Sequence, residues 1–218
     1  MGLLPRPGDT GRIIDGLHII ADGHVNYYIY SKGERSIAVD SGFGKSAVEL
    51  AKLGVDVAKV THLFLTHSDR DHTGGLGLFK NAKLYISSEE RRIISGETPR
   101  FLWFVKNSLK TDRPVNFLQD GDVIDADGIK VQSIGTPGHT PGSMSYLIDD
   151  TILCTGDALI LKDGTARPSP SFLNKDNTAA RESIRKLAMV ASAKIVCTGH
   201  SGYSTDTGGA FKPWRETT

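Results

Sequence analysis

Extended segments alternate with polar turns along the first forty positions of the chain. The segments Arg12 to Ile20, Val25 to Tyr30 and Ser36 to Val39 are rich in β-branched and aromatic residues. Asp22-Gly23 and Ser31-Lys32-Gly33 separate them, so an antiparallel meander is expected. From Lys45 to Leu53 the period changes. Ala47, Val48, Leu50 and Ala51 recur at helical spacing and stop at Gly54, and Lys59 to Thr66 returns to strand. A further strand at Lys83 to Ile86 and a helix from Ser88 to Ser95 lead to Phe101-Leu102-Trp103-Phe104-Val105, which reads as another helix. From Val115 onward the pattern is strand-like again, with Val123-Ile124, Ile129 to Ile134, Met144 to Ile148 and Ile152 to Thr155 forming a second meander. An amphipathic helix from Asn177 to Ala191 and a strand from Lys194 to Thr198 complete it. The second half thus repeats the first in outline: meander, helix, strand, polar loop. Two β-sheets packed face to face with helices outside explain this order better than two independent domains, so residues 1–218 are read as one α/β domain.

Composition narrows the functional classes. The chain has 218 residues, 39% hydrophobic and 23% charged, which suits a globular core and excludes a disordered or fibrous chain. No apolar run exceeds the five residues Phe101 to Val105, and the first residues lack the apolar centre of a signal peptide, so a cytoplasmic protein without membrane partners is expected. Lys and Arg number 26 against 25 acidic residues, which provides no overall field for nucleic acid. Two cysteines, Cys154 and Cys197, are too few for a disulfide scaffold and too far apart for a Cys-x-x-Cys motif.

The candidate chemistry lies in the loops. Of seven histidines, His67, His72, His139 and His200 each follow a predicted strand in a Gly-containing loop, a setting shared by Asp69, Asp71 and Asp157. A rigid scaffold presents reactive side chains on loops at strand ends, so these seven residues point to one shared rim. Imidazole and carboxylate together suit Zn, Mn or Fe, and seven ligand-type residues are what two metal ions would use. Asp69 follows His67 by two positions, so in extended backbone the two side chains lie on one side.

The loop Thr66-His67-Ser68-Asp69-Arg70-Asp71-His72-Thr73-Gly74-Gly75 resembles the signature of the metallo-β-lactamase superfamily, usually His-x-His-x-Asp-His. Thr136-Pro137-Gly138-His139-Thr140-Pro141-Gly142-Ser143 resembles that family's next His loop, Thr155-Gly156-Asp157 its bridging Asp, Thr198-Gly199-His200 its last His, and Val39-Asp40-Ser41-Gly42 its first short motif. The resemblance runs from about Val25 to His200. It implies an αββα four-layer sandwich of two mixed β-sheets flanked by helices, with metals at one edge. His67, Asp69 and His139 would hold one metal and Asp71, His72 and His200 the other, with Asp157 bridging and Asp40 holding the ligand loops from behind. Within the family this chain is most similar to the glyoxalase-II-like and lactonase-like members. The implied cofactors are two divalent ions, zinc first. Asp69 stands where the family usually has its second His, and this hard carboxylate also admits Fe or Mn.

The implied activity is a metal-dependent hydrolase, in which a metal-bridging hydroxide attacks a carbonyl (ester, thioester or lactone) or phosphodiester centre of a small molecule. Asp71 and Asp157 serve catalysis, with Asp71 as a proton carrier. An iron-dependent oxidoreductase on the same ligands, similar to a sulfur dioxygenase, and a metal-binding sensor that does not turn over substrate are the alternatives. Trp103 and Tyr203 are candidate substrate contacts. The apolar run from Phe101 to Val105 is read as core, as a pocket wall or as a homo-oligomer contact, and His18, His24 and His62 as structural residues.

Overall fold

The computed structural model describes residues 6–100, 109 and 111–215. The run Phe101 to Val105, with Trp103, lies outside the described residues. The chain begins with β1 (Gly11–Ile14), β2 (Leu17–Asp22), β3 (Val25–Lys32) and β4 (Arg35–Val39), each antiparallel to the one before. Arg12 to Ile20 is therefore two strands and not one. The turn between them needs Gly16, whose φ is +77° and whose added Cβ would lie 2.4 Å from the Ser31 carbonyl oxygen. After α1 (Ala47–Lys52), β5 (Val60–Phe64) pairs parallel to β4. A short helix α2 (Arg70–Thr73) leads to β6 (Lys83–Ser87), parallel to β5, and then to α3 (Arg91–Ile94). β7 (Val115–Leu118) pairs parallel to β6, so this strand closes the first sheet and does not open the second. The seven strands stand in sequence order.

The second sheet is built from β8 (Val123–Asp125), β9 (Lys130–Gly135), β10 (Met144–Ile148) and β11 (Ile152–Cys154) as an antiparallel meander. A hairpin of β12 (Ile160–Lys162) and β13 (Thr165–Arg167) follows, turning at Asp163 and Gly164, both at positive φ. Helix α4 (Asn177–Ala188) starts on Asp176, whose side chain accepts from the amides of Thr178 and Ala179. β14 (Ile195–Cys197) then returns parallel to β11. β15 (Tyr203–Ser204) forms the edge, and α5 (Thr207–Arg215) ends the described chain. The β12–β13 hairpin, β15 and α5 lie beyond the sequence expectation. Gly208, Gly209 and Pro213 are poor helix formers, and burial of Ala210 and Phe211 against the second sheet outweighs them. No helix among the described residues is long and apolar enough to cross a membrane.

Three apolar layers follow from this order. Between the sheets, Leu17, Tyr28, Val39 and Phe64 of the first face Val131, Tyr146, Ile152 and Ile195 of the second. The outer face of the first sheet packs Ile29, Leu63 and Leu84 against Leu50 and Phe79, while that of the second packs Leu147, Leu153 and Val196 against Ile184, Leu187 and Phe211. The result is the expected sandwich of two mixed sheets with flanking helices. Cys154 and Cys197 are strand partners in the central layer, both buried with free thiols. At one rim the sheets are tied together: the Met144 amide donates to the Thr66 carbonyl at 2.9 Å, the Tyr146 hydroxyl to the Leu65 carbonyl at 2.7 Å, and the Asn26 amide to the Gly199 carbonyl at 2.6 Å. Phe64 sits between them, its ring 4.9 Å from that of Tyr85 and 5.3 Å from that of Tyr146. Phe64→Ala is expected to lower the unfolding free energy by about 3–5 kcal/mol, read from urea unfolding curves.

Candidate metal centre

The tied rim is where β4, β5, β11 and β14 end, and each of those ends delivers ligand-type side chains. Asp40 follows β4 at φ +63°. One of its oxygens accepts from the Thr66 amide at 2.8 Å, the other from the Thr66 hydroxyl and from His72 Nδ1, both at 2.8 Å. With its single proton given to Asp40, the Thr66 hydroxyl accepts from His67 Nδ1 at 3.0 Å. His200 Nδ1 donates to the His24 carbonyl at 2.6 Å. Three imidazoles are thus held by their δ nitrogens, which leaves each ε nitrogen facing a carboxylate of the cluster: His67 toward Asp69, His72 and His200 toward Asp157.

The loop shape has its own support. Glu90, fully buried, accepts from both the amide and the hydroxyl of Ser68, and the amides of His72 and Thr73 donate to the Asp69 carbonyl to start α2. Gly199 is required by close approach: a Cβ there would lie 2.2 Å from an Asp157 oxygen and 2.9 Å from the His72 ring.

All seven residues expected from the sequence reach the same place. The candidate ligand atoms of His67, Asp69 and His139 lie within 4.8 Å of one another, as do those of Asp71, His72 and His200. Asp157 stands between the two groups, 3.3 Å from His139 Nε2, 3.3 Å from His72 Nε2 and 3.1 Å from His200 Nε2. His67 Nε2, His72 Nε2 and Asp157 Oδ1 are buried and, among the described residues, have no hydrogen-bond partner. Buried polar atoms are ordinarily satisfied, so orphaned atoms converging on one point, with imidazole and carboxylate chemistry, fit a divalent metal.

Charge follows from this crowding. Burial would raise the Asp157 pKa, but His200, His72 and His139 hold its carboxyl well below the usual range. Burial would likewise lower the pKa of His72, yet Asp157, Asp40 and Asp71 push it well above 6.5. His200 is raised in the same way, burial being outweighed by Asp157. His139 is lowered, by burial first and by the neighbouring His67 and Arg100 charges. Arg100 is also buried. Its Nε donates to Asp69 Oδ1 at 2.7 Å and its Nη2 to Asp69 Oδ2 at 2.8 Å, and Nη2 lies 2.8 Å from His139 Nε2.

The sequence model of the metallo-beta-lactamase superfamily matches residues 20–200. The chain belongs to this superfamily. It is 31% identical over 159 residues to a probable metallo-hydrolase of Methanocaldococcus jannaschii, covering 73% of this chain and 63% of that one. It is 31% identical over 170 residues to an N-acyl homoserine lactonase of Azorhizobium caulinodans, covering 70% and 62%. The chain thus spans under two thirds of the length of both relatives. Among solved structures, a metallo-beta-lactamase family protein of Thermus thermophilus superimposes with a TM-score of 0.70 at 21% identity, over 92% of this chain and 78% of that one. As a superfamily member, the chain presents its ligand-type residues at the edge of the sandwich.

A cavity of about 220 Å³ opens over the centre, with Asp69, Asp71, Asp157, His139 and His200 on its polar side and Ile160, Pro170 and Leu173 on its apolar side. His24, expected to be structural, is a wall of this cavity: its ring stacks on His200 at 5.7 Å and its Nε2 lies 3.5 Å from Asp71. The β2–β3 turn brings it there, and no local spacing around His24 announces it. Tyr203 lies on β15, 43% exposed, and does not line the cavity. Glu90 and Arg100 are absent from the sequence reading, since each acts on the loop from a distant segment.

The raised His72 and His200 pKa values have a signed consequence. Their protonated forms stabilise the metal-free fold fully below the ordinary 6.5, and this contribution is lost as pH rises through the folded values. In the presence of EDTA, the urea midpoint is expected to fall as pH is raised above about 6.5. With zinc present it should rise over the same interval, because the metal competes with those protons.

Proposed function

We propose that this chain is a metal-dependent hydrolase acting on the carbonyl of a small uncharged ester, thioester or lactone. The observation that carries this reading is the convergence of three pre-oriented imidazole ε nitrogens on Asp69, Asp71 and Asp157, carboxylates that line a cavity with an apolar wall. Two divalent ions, zinc first with iron or manganese admitted by Asp69, would be held by His67, Asp69 and His139 and by Asp71, His72 and His200, with Asp157 between them. When bound, such ions lower the pKa of water to near neutrality and polarise a carbonyl oxygen.

The chain's own residues supply the remainder. Ile160, Pro170 and Leu173 hold the non-reacting part of the substrate and keep water from that side. Asp71 Oδ2 lies 3.5 Å from His24 Nε2 and 3.5 Å from His200 Nε2. Asp71 can therefore take the hydroxyl proton of the tetrahedral adduct and give it to the leaving alkoxide or thiolate, while the exposed His24 carries to solvent the separate proton released when water yields hydroxide.

The lining favours the acyl group over a phosphodiester. Two divalent ions would be balanced by the three carboxylates and a hydroxide, and among the described residues no Lys or Arg lines the cavity to hold a phosphate. The lactonase relative acts, by its name, on an N-acyl homoserine lactone, in keeping with this choice. A panel of ester, thioester, lactone and phosphodiester substrates, assayed with zinc, manganese and iron restored in turn, tests the reading. Acyl compounds should be hydrolysed and phosphodiesters should not; a phosphodiester cleaved faster than every acyl compound would reverse the assignment. Asp157→Ala should lose hydrolysis and bound metal together, by elemental analysis, because it contacts both groups.

A further inference from the structure

The two ligand groups are not equivalent. In the group of Asp71, His72 and His200, each imidazole is held from behind by its δ nitrogen, its ε nitrogen lies beside Asp157, and among the described residues no Lys or Arg is paired with the group. In the group of His67, Asp69 and His139, a guanidinium is already in place. Arg100 spans Asp69 with two parallel N–H···O bonds of 2.7 and 2.8 Å, one to each carboxylate oxygen. Its Nη2 also lies 2.8 Å from His139 Nε2, and a guanidinium can only donate. Asp69 and His139 both belong to the set that would hold a metal there, and Asp69 Oδ2 lies 3.4 Å from His67 Nε2 and 3.3 Å from His139 Nε2. The single lone pair of His139 Nε2, once it accepts the Arg100 N–H, is not available to a cation, and each Asp69 oxygen has one of its two lone pairs taken.

We propose that Arg100 is a resident cation at the first group, competing with a divalent metal for Asp69 and His139, so that the second group fills first and the first fills only when the guanidinium moves aside. The inference rests on the reading of the rim as a metal centre and is independent of the substrate.

Asp69 is what makes this arrangement fit. A carboxylate offers two oxygens at the spacing of the guanidinium fork, whereas an imidazole at the same place would offer one lone pair. The departure from the superfamily's usual His and the presence of a buried Arg beside it are then one feature and not two. An Arg that merely braced Asp69 from behind would need only the carboxylate; the 2.8 Å approach of Nη2 to His139 Nε2 sets Arg100 on the ligand side of both residues.

The test counts metal and needs no substrate. Metal-stripped wild type, Arg100→Ala, Arg100→Gln and Arg100→Lys are titrated with zinc and with manganese against a chromophoric chelator, and bound metal is counted by elemental analysis. Wild type should bind one equivalent tightly and a second at least about tenfold more weakly, the size of change that a partner of a ligand makes. Arg100→Ala and Arg100→Gln should tighten the second equivalent by about tenfold or more, with Arg100→Lys between, since it keeps the charge without the fork. Arg100→Gln keeps amide donors beside Asp69 and decides the matter should the Ala variant fail to fold. In wild type at one equivalent, ¹⁵N spectra of the imidazoles should show His72 and His200 shifted and His139 unshifted.

Two equal equivalents in wild type, unchanged by the variants, would overturn the proposal. So would loss of metal in Arg100→Gln, which would make Arg100 a support for the site. No metal bound by any of the four proteins would remove the metal-centre reading along with it. Unequal loading with no hydrolysis of any substrate would instead leave Arg100 as assigned and reject only the proposed reaction.

Discussion

Three carboxylates share one largely buried cavity, and that concentration of negative charge is the constraint around which the rim is organised. Asp69, Asp71 and Asp157 cannot remain ionised together in a region of reduced dielectric without positive charge nearby. In the metal-free chain the charge comes from two sources. Protons are retained on His72 and His200, whose pKa values rise because of those acids, and a guanidinium arrives from Arg100. A divalent ion can replace either, which is why the same set of residues reads both as an ion-pair network and as a metal centre.

The sandwich makes this crowding tolerable by fixing the groups from behind. Asp40, Thr66 and the His24 carbonyl hold δ nitrogens of the imidazoles, and Glu90 holds the Ser68 segment of the ligand loop. The imidazoles of the first sheet would no longer meet His139, Asp157 and His200 of the second, and the His24 carbonyl could not hold His200, if the two sheets slid relative to one another. Their register is set by the packed layer around Phe64 and Tyr146 and by the rim bonds from Met144, Tyr146 and Asn26. The apolar core therefore acts on the chemistry through geometry: it converts loops contributed by both sheets into one rigid ring of donors.

Where the sequence was readable, a local period or a short motif was at work. The β-branched and aromatic run in Val25 to Tyr30 and the helical spacing in Asn177 to Ala188 each name their element, the strand because it is buried on both faces of its sheet and the helix because it buries one side. The histidine loops are legible for a different reason: ligand-type residues bunched at strand ends have few other uses. What escaped is what depends on distance along the chain. α5 forms across Gly208, Gly209 and Pro213 because Phe211 is buried under the second sheet, an effect invisible to propensity. His24 reaches the site through a turn shared with the Gly199 loop, and Glu90 and Arg100 reach it from segments 22 and 31 residues from their partners Ser68 and Asp69. A single Glu or Arg in a polar stretch carries no mark of such a contact.

The two stand-ins for a metal differ in how they leave. A proton on His72 or His200 can depart into solvent with no side chain moving aside, so its exchange for a metal depends on pH and metal concentration and on no conformational step. A guanidinium is tethered to the backbone, and its departure requires Arg100 to break two charge-assisted hydrogen bonds to Asp69 and find another place for a buried cation. One half of the centre thus answers to acidity and the other to conformation. The residue that creates this difference is Asp69, because only a carboxylate there accepts both N–H groups of the fork. On that proposal, a single departure in the signature loop sets at one half of the centre a side-chain cation that an incoming ion must displace.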